Sequence, residues 1–276
     1  MMKSSQADAA TVNVAELVYG DQVELDDPAE TYHEASKLHP GILGEGAAGR
    51  TLLETSAQLQ RSTARSTKRY VLGEAIRLPG PALPDVGLTA LLRERRSIRQ
   101  FSGARIDAQA LSSLVYAGYG ITHTVPASPM TMRTVPSGGA LYPLDLYCAV
   151  LEVDGVASGV YHYDPFQHAL EQVRAGDCRE EIGGSMVAPG IVMGACVVLL
   201  IAAMFRRNRF KYGLRGYRFA LIEAGHLAQN VLLASQSLQL GGVPLGGYYD
   251  RGIDDLLGMD GVNESVVYTL AIGVPA

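Results

Sequence analysis

Cysteine is scarce in this 276-residue sequence, which contains only Cys148, Cys178 and Cys196. Their number is odd, their spacing is wide and no Cys-x-x-Cys pair occurs, so we expect neither a disulfide framework nor a bound metal. Residues 1–20 also lack the apolar segment of a secretory signal peptide. Both features favour a protein of the reducing cytoplasm.

Charge is also in short supply, since charged residues make up 18% of the chain and the formal net charge is -5. The arginines form only two short clusters, within residues 95–99 and 206–209. Nucleic-acid binding needs an extended basic surface that neutralises phosphates, so we expect no nucleic-acid partner. Hydrophobic residues make up 47% of the chain, which is enough to bury a sizeable core.

One apolar run, Val187 to Phe205, approaches the length of a membrane-spanning helix. Pro189-Gly190 and Gly194 interrupt it, however, and its continuous part from Cys196 to Met204 is rich in valine, leucine and isoleucine. That composition favours a strand that is buried on both faces of a sheet. We therefore expect no membrane span.

A proline-rich stretch at residues 78–84 divides the chain. The residues before it are polar and irregular, and proline favours extended backbone, so we predict an N-terminal extension and linker over 1–84. The main domain is predicted over 85–276. There, helices are predicted at 89–96, 107–119 (capped by Asp107) and 218–238 (stopped by Gly241-Gly242), and strands at 146–153, 161–165, 169–173, 196–204 and 266–272. This mixture predicts an α+β fold with a mixed sheet.

The segment RRSIRQF at residues 95–101 is a candidate phosphate-binding site. Arginine side chains match phosphate oxygens as two-pronged donors, and Ser97 can add a hydroxyl. Considered alone, the segment is better explained as a solvated basic turn before the helix that begins near Asp107.

Two glycine-rich segments could let a flat ligand approach the backbone closely. They are RTVPSGGALYP at residues 133–143, where Arg133 and Ser137 offer donors, and GGVPLGGYYD at residues 241–250. No Walker loop and no Gly-x-Gly-x-x-Gly motif after a strand accompanies them, which argues against a Rossmann domain. Taken alone, each segment is explained by a tight turn or a helix end.

The segment KYGLRGYRF at residues 211–219 follows the apolar strand and is predicted to be a loop. Lys211 and Tyr212 can both carry protons. Neighbouring residues of an extended chain point to opposite sides, so both can serve one site only if the loop bends, as Gly213 would permit. A basic, aromatic loop with solvated side-chain ends is the alternative explanation.

The order of these segments, with GVYHYDP at 159–165 and EAGHLAQNVLLAS at 223–235 between them, resembles the nitroreductase-like flavoproteins. PSGGALYP and KYGLRGYRF are similar to the forms found in SagB-type dehydrogenases, as is YHEASK at residues 32–37. The resemblance extends from about residue 30 to residue 276.

The resemblance implies a nitroreductase-like α+β fold, with a mainly antiparallel sheet flanked by helices, in an intertwined homodimer that binds FMN at the subunit interface. It implies that the phosphate end of FMN is held by Arg95, Arg96, Ser97 and Arg99. Near the flavin ring it places Pro136, Ser137 and Gly138 of the partner subunit, and on the N5 side Leu245, Gly246 and Gly247. Arg133, a donor in the same segment as Ser137, is a further candidate cofactor-binding residue. Lys211 and Tyr212 match the Lys-Tyr pair that is assigned to catalysis in the azoline-oxidising members of the family.

The resemblance further implies an FMN-dependent dehydrogenase that oxidises thiazoline or oxazoline rings to thiazole or oxazole in a ribosomally made peptide. A cyclodehydratase complex would form the rings first and is a candidate partner. The alternatives are an NAD(P)H-dependent nitro- or quinone reductase, an oxidase of a carrier-bound thiazoline, and a non-catalytic flavin-binding subunit of a peptide-modifying complex.

Overall fold

The structure is a computed structural model that describes residues 27–38, 51, 53–70, 75–126 and 128–276. The chain forms two compact units, residues 1–39 and residues 40–276. In the first unit, helix α1 (Pro28–Ala35) begins where the Asp27 carboxylate accepts a hydrogen bond from the backbone N–H of Ala29 at 2.7 Å. The YHEASK segment covers the second half of α1 and the residues that follow it.

The second unit contains the other described elements. Its helices are α2 (Ala57–Ala64), α3 (Leu88–Glu94), α4 (Ala108–Tyr119), α5 (Arg179–Gly184), α6 (Gly190–Met193), α7 (Arg206–Tyr212), α8 (Arg215–Ser237) and α9 (Asp250–Leu257), with a short 3-10 turn at Gly138–Ala140. Its strands are β1 (Ile76–Arg77), β2 (Ile106–Asp107), β3 (Ile121–Thr124), β4 (Thr131–Arg133), β5 (Leu144–Val150), β6 (Val153–Asp154), β7 (Gly159–Asp164), β8 (Ala169–Ala175), β9 (Val197–Met204), β10 (Gly241–Leu245) and β11 (Glu264–Gly273).

Seven strands form the central sheet in the order β1-β8-β7-β5-β9-β11-β10. Every neighbouring pair in this sheet is antiparallel. The strands β2 and β6 form a short parallel pair, and β3 and β4 form an antiparallel one. The α+β class and the mainly antiparallel sheet with flanking helices are therefore confirmed.

The strand β9 is buried on both faces of the sheet. Alternate side chains of a strand point to opposite faces, and those of β9 join two separate apolar clusters. One cluster contains residues of α4 and α8, such as Leu114 and Leu227. The other contains residues of α5, α6 and α9, such as Ile182 and Ile253. The prediction of a buried strand in the apolar run is confirmed, and no helix in the described ranges is long and apolar enough to cross a membrane.

The helix predicted from residue 107 is confirmed with its cap, because the Asp107 carboxylate accepts a hydrogen bond from Ala110 N at 2.7 Å. The three cysteines are buried and form no disulfide. Among the described residues, no cluster of histidine, cysteine, aspartate or glutamate is arranged to hold a metal ion.

The prediction that Gly241-Gly242 stops the long helix is wrong. Helix α8 ends at Ser237, and the two glycines begin β10. A Cβ atom on Gly241 would lie 2.8 Å from Ile98, and one on Gly242 would lie 2.9 Å from both Ile272 and Leu232. These glycines are needed because the protein's own side chains pack against the strand at that point.

The prediction of a loop over residues 211–219 is also wrong. Lys211 and Tyr212 end helix α7, and Arg215 already begins α8, so only Gly213 and Leu214 connect the two helices. Gly213 has a φ of 54°, which glycine adopts at little cost, and this residue allows the sharp change of direction.

Part of the predicted linker contributes to the central sheet. The strand β1 pairs with β8, with Ile76 opposite Leu170 and Arg77 opposite Ala169. The backbone N–H of Tyr70 donates to the Glu171 carboxylate at 3.0 Å. The domain boundary at residue 85 stays a prediction, although these contacts attach residues before it to the sheet.

Candidate active site

Most of the residues predicted to form the site lie in two groups near opposite ends of β9. We call Arg95, Arg96, Ser97 and Arg99 the arginine group, and Pro136, Ser137, Gly138, Gly139, Lys211 and Tyr212 the Lys-Tyr group. The arginine group lies near the start of β9. Ser97 pairs with Gly242 of β10, and Gly242 lies opposite Ile272 of β11. Ile272 lies opposite Val197, the first residue of β9. The Lys-Tyr group lies near Ala203 and Met204 at its end, because β5 begins opposite Ala203 and α7 follows β9 directly. The seven residue steps from Val197 to Met204 make β9 about 23 Å long.

The arginine group follows the end of α3 and lies beside β10. Ile98 N donates to Gly242 O at 3.2 Å, and Ser102 N donates to Val274 O at 2.9 Å, which fixes the segment against the last strands. Within the described ranges, none of the three guanidinium groups has a carboxylate at ion-pair distance. The arginine group can therefore bind an anion without first breaking an ion pair.

Leu245 ends β10, and Gly246 and Gly247 follow it on the face covered by α5, α6 and α9. Thr269 Oγ1 donates to Leu245 O at 2.9 Å, and Val187 N donates to Gly247 O at 3.0 Å. A Cβ atom built on Gly246 would meet nothing within 4 Å. This stretch of backbone is therefore held at both ends and open in the middle, as a site for a flat ring requires.

The Lys-Tyr group is closely packed around Gly139. A Cβ atom on Gly139 would lie 2.7 Å from both Lys211 Nζ and Tyr212 Oη, and the φ of Gly139 is 65°. The Tyr212 ring meets the Phe219 ring edge-on at 5.0 Å between ring centres. Lys211 and Tyr212 therefore reach the same point, as expected, but a helix end and a glycine turn bring them together where a bent loop was predicted.

Arg133 is 6% exposed and lies beneath the glycine turn. Its guanidinium carbon is 4.2 Å from the centre of the Tyr119 ring and 4.7 Å from that of the Tyr142 ring, and its Nη2 donates to Ser66 O at 3.0 Å. Through these cation–π contacts, Arg133 is part of the buried packing that supports the glycine turn. Direct contact between Arg133 and a cofactor stays a prediction.

Glu223 of α8 is a candidate functional residue that sequence reasoning missed. It is 2% exposed, accepts a hydrogen bond from Tyr119 Oη at 2.7 Å and contacts the Ser137 hydroxyl. Burial raises the pKa of the Glu223 carboxyl to about 7, against the opposing effects of these hydrogen bonds and of Arg133. The sequence did contain a signal for it. Glu223 lies four residues after Phe219 and four before Leu227, so a carboxylate occupies the apolar face of the predicted helix.

Two clefts open near the end of β9. One, of about 560 Å³, is lined by residues of α8, α9, β11 and the loop between α9 and β11, and three of these residues are aspartates. The other, of about 390 Å³, is lined by residues of α2 and α7. Neither cleft includes Lys211, Tyr212 or any residue predicted to bind FMN.

The sequence profile of the nitroreductase family matches residues 92–274. The chain belongs to the nitroreductase family. It is 35% identical over 186 residues to the nitroreductase-family protein MJ1384 of Methanocaldococcus jannaschii, an alignment that covers 67% of this chain and 91% of that protein. Membership indicates oxidoreductase chemistry, and the nitroreductase fold expected from the resemblance is confirmed.

A further relative is a microcin-processing protein. The chain is 34% identical over 136 residues to the microcin B17-processing protein McbC of Escherichia coli, and the match covers 46% of this chain and 49% of McbC. It thus spans about half the length of that relative. The fold also matches a chain of the E. coli microcin synthetase McbBCD complex, with a TM-score of 0.59, 22% identity and coverage of 92% of this chain and 100% of that one.

We predict that Glu223→Gln removes a pH-dependent loss of stability. A folded-state pKa of about 7, above the usual 4.5, means that the folded chain keeps a proton that the unfolded chain has lost. Stability should therefore fall as the pH rises from 4.5 to 7, by roughly 3 kcal/mol. The glutamine variant should lack this fall. Urea unfolding across this pH range measures it.

The matched control is Glu180→Gln, which changes an exposed glutamate on α5 and should leave the pH profile of stability as it is in the wild type. Parallel profiles for wild type and Glu223→Gln would contradict the assignment of the buried proton to Glu223.

Proposed function

We propose that the protein is an FMN-dependent dehydrogenase of the SagB type that oxidises thiazoline or oxazoline rings to thiazole or oxazole in a ribosomally made peptide. The observation that carries this proposal is the convergence of Lys211 Nζ and Tyr212 Oη beside Gly139. A pair of proton-carrying groups at one point suits the removal of a proton from a substrate carbon. The relationship to a microcin-processing protein supports a peptide substrate.

The residues present fit FMN at both of its ends. The arginine group offers guanidinium groups that have no carboxylate partner in the described structure, which suits a phosphate. The open backbone at Gly246 and the turn at Gly138 and Gly139 suit the approach of a planar ring. We therefore assign the phosphate end to Arg95, Arg96, Ser97 and Arg99, and the ring to the two glycine segments.

A second copy of the chain would complete each site. The arginine group and the Lys-Tyr group lie near opposite ends of β9, which is about 23 Å long, so they are not side by side within one subunit. The long helix α8 also exposes the apolar side chains of Leu221 and Ile222, by 41% and 56%. Apolar surface of this kind is typical of a subunit interface. We propose a homodimer in which each site takes the arginine group of one subunit and the Lys-Tyr group of its partner.

The chemistry removes one hydride and one proton from adjacent carbons of the azoline ring. Bound FMN would supply the acceptor for the hydride. Lys211 or Tyr212 removes the proton from the carbon next to the carbonyl group, and the ring becomes aromatic. Gly139 lets both side chains reach this point, and Ser137, in contact with Glu223, holds the turn in place. Dioxygen is the proposed final electron acceptor.

We place the reaction after that of a cyclodehydratase, which forms the azoline ring from cysteine, serine or threonine. The fold match to a chain of a microcin synthetase complex makes a complex with such an enzyme a reasonable arrangement for this protein. The buried, free cysteines are compatible with the reducing cytoplasm as the place of the reaction.

The choice of reductant separates this proposal from a nitro- or quinone reductase, to which the match with MJ1384 points. The purified protein should be yellow and should release FMN on denaturation. Under anaerobic conditions, a thiazoline- or oxazoline-containing peptide should bleach its flavin absorbance rapidly, and NADPH should do so slowly. Rapid bleaching by NADPH alone would favour the reductase, and no bleaching by either would favour a non-catalytic subunit.

Lys211→Ala and Tyr212→Phe should slow the chemical step while FMN stays bound. The expected loss is roughly a hundredfold or more in at least one variant, which is the usual size of a general-base contribution. Single-turnover flavin reduction by the azoline peptide measures this step without reoxidation. Tyr116→Phe, which removes a hydroxyl from α4, is the matched control and should react at the wild-type rate. Near-normal rates in both site variants would exclude them as the base.

Complementation tests the shared site directly. A subunit with Arg95→Gln and Arg99→Gln should have a defective arginine group, and one with Lys211→Ala and Tyr212→Phe a defective Lys-Tyr group. In a heterodimer of the two, one site would combine the intact groups, so activity should return to about half of the wild-type value. Co-expression with two different tags isolates this heterodimer. A heterodimer as inactive as both parent dimers would contradict the arrangement.

A further inference from the structure

The cleft of about 390 Å³ between α2 and α7 has an unusual charge for this protein. Arg65, Arg206 and Arg207 line it, together with Ser62 and Thr67, and no acidic residue is among its lining residues. The chain as a whole carries a net charge of -5. A cleft with three arginines and no carboxylate is therefore a local reversal of charge, and it suits an anionic ligand.

Two of the three arginines are available to a ligand. Arg207 is already committed, because its Nη2 lies 2.7 Å from Oδ2 of the buried Asp145. Arg65 and Arg206 are exposed, and in the part of the chain that the structure describes neither has a carboxylate at ion-pair distance. They lie on different elements, at the end of α2 and the start of α7.

The cleft and the Lys-Tyr group share helix α7. Arg206 is its first residue, and Lys211 and Tyr212 are its last two. A helix rises about 1.5 Å per residue, so the two positions are about 9 Å apart along its axis. An extended peptide covers that distance in about three residues. Phe210, half-exposed between them on the same helix, lines the cleft and offers an apolar surface to the peptide.

We propose that this cleft binds the side-chain carboxylate of an acidic residue in the peptide substrate, about three residues from the ring that is oxidised. Arg65 and Arg206 hold the carboxylate from the two sides of the cleft, and the peptide then runs along α7 to Lys211 and Tyr212. This inference rests on the proposed function and adds to it a preference for acidic sequence near the modified residue. Guanidinium groups are well matched to carboxylates as partners of this kind.

The test compares two fluorescent peptides bound to the FMN-loaded full-length protein. One is a glycine- and serine-rich peptide with glutamates, and the other carries glutamine at the same positions. Fluorescence anisotropy should show tighter binding of the glutamate peptide to the wild type. Arg65→Gln with Arg206→Gln should weaken that binding roughly tenfold, or about 1.4 kcal/mol, since two exposed ion pairs are lost. The glutamine peptide should bind the two proteins equally.

The matched control is Arg61→Gln, which removes an exposed arginine from α2 that does not line the cleft. It should leave the affinity for the glutamate peptide unchanged. Circular dichroism and FMN content should be the same in all variants. Equal affinities of the wild type for the two peptides would overturn the proposal without the use of any variant. Loss of FMN from the double variant would assign these arginines to the cofactor phosphate and would also overturn it.

Oxidation of a small free azoline that has no carboxylate separates this proposal from the proposed function. The double variant should oxidise it at the wild-type rate, because Arg65 and Arg206 lie outside the Lys-Tyr group. If the small azoline is oxidised but the double variant binds the glutamate peptide as tightly as the wild type does, the cleft proposal fails and the proposed function stands. If no azoline is oxidised by any protein while arginine-dependent binding of the glutamate peptide remains, the proposed function fails and the cleft binds an acidic peptide for another purpose.

Discussion

The burial of β9 on both faces is the constraint on which the rest of the structure depends. Its side chains alternate between two apolar clusters, so the strand cannot slip by one residue without exchanging its contacts with both helical layers. Because the strand is fixed, the elements near its two ends are fixed as well. The arginine group lies near one end and the Lys-Tyr group near the other, and the proposed site shared between two subunits is built on this separation.

A buried polar layer supports the Lys-Tyr group from below. Arg133 lies between two tyrosine rings, and Glu223 is held by Tyr119 and Ser137. Burial of such groups is costly unless each finds a partner, so these contacts specify one arrangement of the turn at Gly138–Ala140. The raised pKa of Glu223 is the consequence, since its neutral form is the less costly one to bury.

Much of the fold was predictable because it follows from local pattern. The periodicity of α4 and α8, the cap at Asp107 and the apolar composition of β9 each act over a few residues. The helix α7 was missed because it is one short stretch of basic and aromatic residues without an apolar period. The role of Gly241-Gly242 was misread because a helix stop and a close contact with distant side chains favour the same residue.

The sequence by itself determined the fold class, the buried strand and the residue types of the candidate site, because hydrophobic periodicity, caps and motif order are local properties of the chain. Only the tertiary structure decided that Lys211 and Tyr212 meet at Gly139, that Arg133 is buried and that Glu223 belongs beneath the same turn. It also separated the arginine group from the Lys-Tyr group along β9. These facts depend on contacts between residues far apart in the chain, and no local pattern specifies which distant surfaces pack together.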